Sequence, residues 1–557
     1  MVTTEGHGGN HAVAVARAHG VETMFTLSGA HVFPMYDGAV TAEPAMRLVD
    51  VRHEQTAVFA AEATAKLTRR PGLAVVTAGP GVTNAISAVT SAWFNGSPVL
   101  VVGGRAPAYR WGTGSLQELD HPPLLAPVTK RAATVQTVAK IAAEFDDALR
   151  LATAPHRGPV FLDVPMDQFF SRAEVELPGT PTRERQQPDP DDVARVAVLL
   201  ARAERPVLVI GSDAWADGAE SAALRLAETA ALPVITNGMG RGILPGGHPL
   251  LVTKARSTAF GSADLVVVVG APLDFRLGYG AFGGGTDTAG ASSPAQRAGV
   301  VHLADSPGQL AGHVELAASA SGDLGLVLDG ILAAWQSQPT QTSYAEWTTR
   351  LQDTARAAAE KDAELLASDA DPIHPARVYG ELRTRLAEDA VVIGDGGDFV
   401  SFAGKYVEPA RPGSWLDPGP YGCLGTGLGY AIAARIARPA SQVALMLGDG
   451  AAGFSLMDVD TLVRHDLPVV MVVGNNSAWG LEKHPMRFLY GYDVAAELAP
   501  ETRYDEVVRA LGGAGELVTR PGDIGPALDR AFASGVPYLV NVVTDPDVAY
   551  PRATTGV

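Results

Sequence analysis

The sequence predicts an α/β fold of three doubly wound, mostly parallel sheets, on three observations. First, short and nearly continuous apolar runs alternate with longer helical segments. Strands buried on both faces read this way, and they belong to parallel sheets covered by helices. The runs lie at 73–77, 99–102, 160–164, 207–210, 265–269, 391–393, 443–447, 469–473 and 538–542. Second, two polar seams interrupt the alternation: 178–190 (PGTPTRERQQPDP) and 336–342 (QSQPTQT). Third, 557 residues exceed what one core supports. The expected domains are 1–180, 190–345 and 370–557.

Composition narrows the function. Apolar residues make up 46% and charged residues 19%, an ordinary globular balance. With 61 acidic against 43 basic side chains, the net charge is −18. That balance argues against a nucleic-acid partner but leaves room for a local basic pocket. A single cysteine, Cys423, excludes an intramolecular disulfide and a cysteine-rich zinc site. No signal segment is visible, and no apolar run approaches the ~20 residues of a membrane span. A cytoplasmic chain without membrane or nucleic-acid partners is expected.

The sharpest motif is in the third domain. The run 443–447 leads into Gly448-Asp449-Gly450, then Ala451 and a helix; the run 469–473 leads into Gly474-Asn475-Asn476. Asp449 and Asn476 therefore sit just past the carboxyl ends of successive strands, where open α/β sheets bind ligands. Glycine backbone and a helix N-terminus suit a phosphate. A diphosphate there needs a hard cation such as Mg²⁺, with Asp449, Asn476 and the Ala478 carbonyl as oxygen ligands. Each motif alone is also a tight turn or a strand-end cap. The pair, 27 residues apart and each behind an apolar strand, is far more specific.

In the first domain, 47–51 reads as a strand leading into Arg52-His53-Glu54-Gln55 and a helix. Glu54 in a first turn also reads as an ordinary complement to the helix dipole. The strand 73–77 is followed by Gly79-Pro80-Gly81-Val82-Thr83-Asn84.

Together these segments resemble thiamine diphosphate (ThDP) enzymes of the acetolactate-synthase-like superfamily, over essentially the whole chain. The resemblance implies that Glu54 is the acid that shares a proton with the aminopyrimidine of ThDP, a task suited to a carboxyl in apolar surroundings. It places Pro80 and Asn84 near that ring. It makes Pro420–Gly427 the loop that bends the cofactor, with Leu424 as the wedge and the Gly422 carbonyl as an acceptor. Gly448, Asp449, Gly450, Ala451, Asn476, Ala478 and Trp479 would hold the diphosphate and Mg²⁺.

Further roles follow from the same resemblance. Ser28–His31 and Leu116-Gln117-Glu118 look like the polar substrate segments of benzaldehyde lyase and its neighbours. His31 and Gln117 would then hydrogen-bond the substrate oxygen; His31 also reads as a structural loop histidine. Glu482, in Trp479–Pro485, would shuttle a proton, and also reads as a solvated helix residue. The middle domain holds FAD in acetolactate synthases, and ADP or the CoA nucleotide in oxalyl-CoA decarboxylase and 2-hydroxyacyl-CoA lyases. Arg256, Arg276 and Asp305 are the candidate nucleotide contacts.

Leu116–His121, Trp479–Pro485 and Asp545–Arg552 look most like actinobacterial 2-hydroxyacyl-CoA lyases. The first expectation is therefore reversible cleavage of a 2-hydroxyacyl-CoA to a ketone or aldehyde plus formyl-CoA. Acetolactate synthase and a benzaldehyde-lyase-like acyloin lyase are the alternatives. The resemblance further implies a homodimer or homotetramer with shared active sites, and 550–557 reads as a lid or as a frayed end.

Overall fold

The computed structural model describes residues 2–179, 184–283 and 297–550. Three α/β domains follow one another, each built on a parallel sheet flanked by helices. The first sheet orders its six strands as Arg47–Asp50, Thr23–Thr26, Gly72–Val76, Val99–Arg105, Val160–Pro165 and Ala132–Thr134. The middle sheet has five: Val234–Thr236, Pro206–Ile210, Leu265–Val269, Gly299–Ala304 and Ala318–Ser321. The third has six: Trp415–Leu416, Val391–Asp395, Val443–Gly448, Val470–Asn475, Tyr538–Val543 and Ala514–Val518. A separate antiparallel ribbon pairs Val2–His7 with Arg172–Leu177.

All nine apolar runs lie on strands of these sheets. The elements the apolar pattern did not reveal are mostly short. Trp415–Leu416 and Ala132–Thr134, for example, are edge strands of two and three residues, too brief to carry a period.

Topology brings the first-domain candidates together. Arg47–Asp50, Thr23–Thr26 and Gly72–Val76 are neighbours in parallel register. Their carboxyl ends lead into the segments holding Glu54, His31 and Pro80–Asn84, so those residues share one edge of the sheet.

One helix pair joins the first domain to the third. Helix Glu54–Thr68 is rich in alanine, a strong helix former, and stops where Arg69 turns left-handed at φ 60°. It crosses helix Thr426–Ala437 so closely that a side-chain carbon on Gly429 would lie 2.7 Å from Phe59 Cβ and 3.0 Å from the Thr56 carbonyl oxygen. The Phe59 and Tyr430 rings meet edge to face, centroids 6.2 Å apart. Buried residues of both domains form one continuous core here. At its rim, Asp458 accepts the Arg52 N–H at 2.8 Å and the Thr56 hydroxyl at 2.7 Å.

Candidate active site

Strands Val391–Asp395, Val443–Gly448 and Val470–Asn475 end at a cavity of about 400 Å³. Gly422, Leu424, Gly448, Asp449, Gly450, Ala451, Asn476, Ala478, Trp479 and Glu482 all line it. The third-domain residues that the resemblance assigns to the cofactor, together with Glu482, thus meet in one place.

Asp449 is the electrostatic centre of this cavity. It is only 3% exposed, and burial pushes its carboxyl up to about 6. One oxygen accepts the Gly450 N–H at 2.9 Å; the other, Oδ2, is buried without a hydrogen bond of ordinary geometry, while the Ser477 and Ala478 backbone N–H groups partly offset the cost of burying the charge. A buried orphan carboxylate oxygen is costly, and a divalent cation is the natural partner for it. The donor set therefore fits Mg²⁺ and a diphosphate.

The two asparagines divide their work. Asn475 is buried and structural, with its amide donating to the Thr502 carbonyl and to Asn541 Oδ1 at 3.0 and 3.1 Å. Asn476 borders the cavity, and its Oδ1 accepts the Ala478 N–H at 3.2 Å. Packing also constrains the glycines. A side-chain carbon on Gly450 would lie 2.5 Å from the Trp479 ring, and one on Gly474 2.2 Å from the Phe399 ring. Aromatic packing behind the turns is what requires glycine there.

The loop at Gly422 and Leu424 is held from behind. Leu424 Cδ2 would lie 2.9 Å from a side-chain carbon on Gly396, so this leucine packs directly on the end of the first of these strands. Asp395, wholly buried, accepts the N–H groups of Gly425 at 3.1 Å and Gly427 at 2.8 Å, and burial pushes its carboxyl up to about 7. Asp417 accepts the Gly419 N–H at 2.9 Å and the Trp415 indole N–H at 2.7 Å. Neither acid was singled out from the sequence, although Asp395 carries the signal that marks Asp449, an acid at the end of an apolar strand.

The first domain holds a second group. Glu54, 6% exposed, accepts from the Asn84 amide at 3.0 Å, and Pro80 opens the short helix Pro80–Thr83. His31 is buried, with Nδ1 3.0 Å from Thr77 Oγ1, and burial holds its pKa below the usual imidazole value. Gln117 has a left-handed backbone, φ 60°, and sits where a side-chain carbon on Gly79 would lie 2.9 Å from its Cβ. None of these first-domain residues lines the Asp449 cavity. The candidates thus fall into two groups, one in the first domain and one in the third.

A second cavity, of about 540 Å³, opens between the first and middle domains. Asn237 and Arg276 line both cavities. Arg276 is clamped by the Asp274 carboxylate, its Nη2 donating at 2.7 Å. Arg256 lines neither cavity; it donates to the Arg276 carbonyl, stacks over Phe260 at 4.6 Å, and burial pushes its pKa down to about 10. Asp305 is wholly buried against His156 at 3.0 Å and Arg157 at 3.4 Å. Of the three nucleotide candidates, only Arg276 reaches the cavity. The cations that sequence reasoning missed, Lys130, His156 and Arg157, come from the first domain. The tail from 551 lies outside the described residues; just before it, the Tyr550 N–H donates to Asp398 at 3.0 Å.

Comparison with known proteins agrees with this geometry. Descriptions of the thiamine pyrophosphate enzymes match at 6–124 (N-terminal TPP binding domain), 193–331 (central domain) and 395–542 (C-terminal TPP binding domain). An acetolactate synthase large subunit, IlvG, of Mycobacterium tuberculosis is 48% identical over 98% of this chain and 97% of its own length. A 2-hydroxyacyl-CoA lyase 2 of Mus musculus is 34% identical over 92% of this chain and 85% of its own. The Homo sapiens protein of that name is 33% identical over 96% and 90%. Among the described residues, no helix is long and apolar enough to cross a membrane.

Proposed function

The chain belongs to the thiamine pyrophosphate enzymes, whose chemistry makes or breaks carbon–carbon bonds, and within that family we propose that it is an acetolactate synthase. It would decarboxylate pyruvate and join the remaining two-carbon unit to a second 2-keto acid. The observation that carries this reading is the full-length likeness to the mycobacterial acetolactate synthase large subunit, 48% against 33–34% for the mouse and human lyases. The lyase reading favoured by the sequence motifs becomes the second. Of its three motifs, Leu116–His121 lies beside the Glu54 group, Trp479–Pro485 begins at the Asp449 cavity and Asp545–Arg552 runs past the described residues; these short segments weigh less than a likeness over the full length. The lyase reading keeps one support: Lys130, Arg157 and Arg276 line the second cavity, beside Asp213 and Asp274, and could meet the phosphates of a CoA ester.

Bound ThDP supplies a nucleophilic carbon and an electron sink. Asp449, Asn476 and the Ala478 carbonyl would hold Mg²⁺, which the orphan Asp449 oxygen supports. The Glu54 carboxyl would exchange a proton with the pyrimidine, with Asn84 fixing it through one oxygen. His31, kept neutral by burial, and Gln117 would steady the reacting oxygen. Arg276, at the border of both cavities, would receive the carboxylate of the second keto acid. Glu482 at the cavity rim would move a proton.

The family resemblance implies a homodimer in which Glu54 of one chain faces the Asp449 cavity of another, and within one chain the Glu54 group does not line that cavity. ADP or FAD would occupy the second cavity, its phosphates beside Lys130 and Arg157, which leaves Arg276 to the keto acid.

The test runs two assays side by side. One offers pyruvate alone; the other offers formyl-CoA plus acetone. The expected result is acetolactate in the first and slow or no reaction in the second. Rapid formation of a 2-hydroxyacyl-CoA with no acetolactate would replace this reading with the lyase.

A further inference from the structure

Gly79 is the joint between the two sides of the first-domain site. After it come Pro80–Asn84, whose last amide holds Glu54. Against it lies Gln117, since a side-chain carbon on Gly79 would meet Gln117 Cβ at 2.9 Å. Its backbone, φ 56° and ψ −112°, is one that only glycine holds without strain. Something must keep this joint in place.

That something is His121. The Gly79 N–H donates to His121 Nε2 at 2.9 Å, in buried surroundings. The ring is wholly buried, and its Nδ1 lies 2.9 Å from Asp163 Oδ2, on a carboxylate that is itself fully buried. A backbone N–H can only donate, so Nε2 carries the lone pair. The ring proton therefore sits on Nδ1, where the carboxylate accepts it. Arg105 steadies that carboxylate, donating at 2.8 Å, and its guanidinium stacks 3.8 Å over Trp111.

We propose that His121 is a positioning residue for this enzyme. Locked as its neutral Nδ1–H form by Asp163, it pins the Gly79 N–H. It thereby sets Asn84 and Glu54 on the cofactor side and Gln117 on the substrate side. His121 reaches neither substrate nor cofactor; it acts through the Gly79 joint. The proposal rests on Glu54 and Asn84 working in a ThDP enzyme, and not on which carbonyl compound is the substrate.

Two substitutions separate this role from simple packing. His121→Asn keeps a polar partner for Asp163 but ends short of Gly79. His121→Gln carries an amide oxygen out to where Nε2 lies. Two measurements on the full-length holoenzyme read the consequence: deuterium uptake by the peptide covering 77–84, and exchange of the cofactor C2 proton by quenched NMR. Thermal midpoints are recorded alongside. His121→Asn is expected to speed deuterium uptake at 77–84 and to slow C2 exchange, each by about tenfold or more, because small displacements of aligned groups are costly. His121→Gln should recover most of both. An Asn variant with a lowered thermal midpoint but with both exchange rates within about twofold of wild type would show a merely structural role and overturn the proposal. If the Asn variant does not accumulate, the Gln variant decides: loss of protection or of C2 exchange in a folded Gln enzyme overturns it. C2 exchange needs no substrate, so failure of the acetolactate reading would leave this result untouched.

Discussion

The Asn84 amide donates to the Glu54 carboxylate at 3.0 Å, at the start of the helix that ties the first domain to the third. A carboxyl held by one oxygen keeps its aim while the other remains for chemistry. Glu54→Gln should still bind ThDP, yet slow C2 exchange on the order of 10²-fold or more, the range of general acid–base groups. Asn84→Ala should fall between it and wild type. Unchanged exchange in Glu54→Gln, measured by NMR, would assign activation to another residue.

Asp449 predicts a pH dependence with a definite sign. Its folded carboxyl titrates near 6, above the ordinary carboxylate range, because it is buried. The folded protein without a cation is therefore best served below that range. Its contribution to stability declines as pH rises through about 6. A divalent ion needs the ionised form, so stabilisation by Mg²⁺ and ThDP should be small at acid pH and full above neutrality. Thermal midpoints with and without Mg²⁺–ThDP on either side of that pH check this. A gain as large on the acid side as above neutrality would contradict it. Asp449→Ala should abolish the gain at every pH while leaving the fold intact.

The crossing at Gly429 sets the stability of the joint between domains. Gly429→Ala places a carbon 2.7 Å from Phe59 Cβ and 3.0 Å from the Thr56 carbonyl oxygen, which a helix backbone cannot vacate. Overpacking of this kind costs about 1–3 kcal/mol. Phe59→Ala empties the same place and should cost about 3–5 kcal/mol. Denaturant unfolding measures both.

Arg276 bears on the choice of acceptor. If it receives the second keto acid, Arg276→Ala should raise that substrate's KM by about 10- to 100-fold, the worth of a charge-assisted hydrogen bond. Steady-state kinetics with the second keto acid varied measures this. An unaltered KM would remove Arg276 from substrate binding.

Asp449 and Asn476 were legible in the sequence because each follows an apolar strand, and both border one cavity; Glu54 and Asn84 were placed only by the family resemblance. Parallel strands deliver such residues to one edge, so local pattern becomes spatial proximity. What escaped depends on distant partners. Asp305 looked like an open strand-end acid, but His156 and Arg157 reach it from the first domain, 149 and 148 positions earlier. Asp395 shared the Asp449 signal, yet its carboxylate faces the Gly425 and Gly427 N–H groups and serves the loop. His121 stood in a noted motif without a role because its partners, Gly79 and Asp163, are both 42 positions away, on opposite sides.

The account turns on a working site assembled from Glu54 of one chain and the Asp449 cavity of another. Subunit mixing tests it most directly. Glu54→Gln and Asp449→Ala proteins, each inactive alone, are unfolded together, refolded as a mixture and assayed with ThDP and Mg²⁺. A mixed dimer would hold one site with both wild-type halves, so activity should return, approaching a quarter of the wild-type value for random pairing of equal amounts. No recovery, with mixed dimers verified by mass spectrometry, would contradict the shared site.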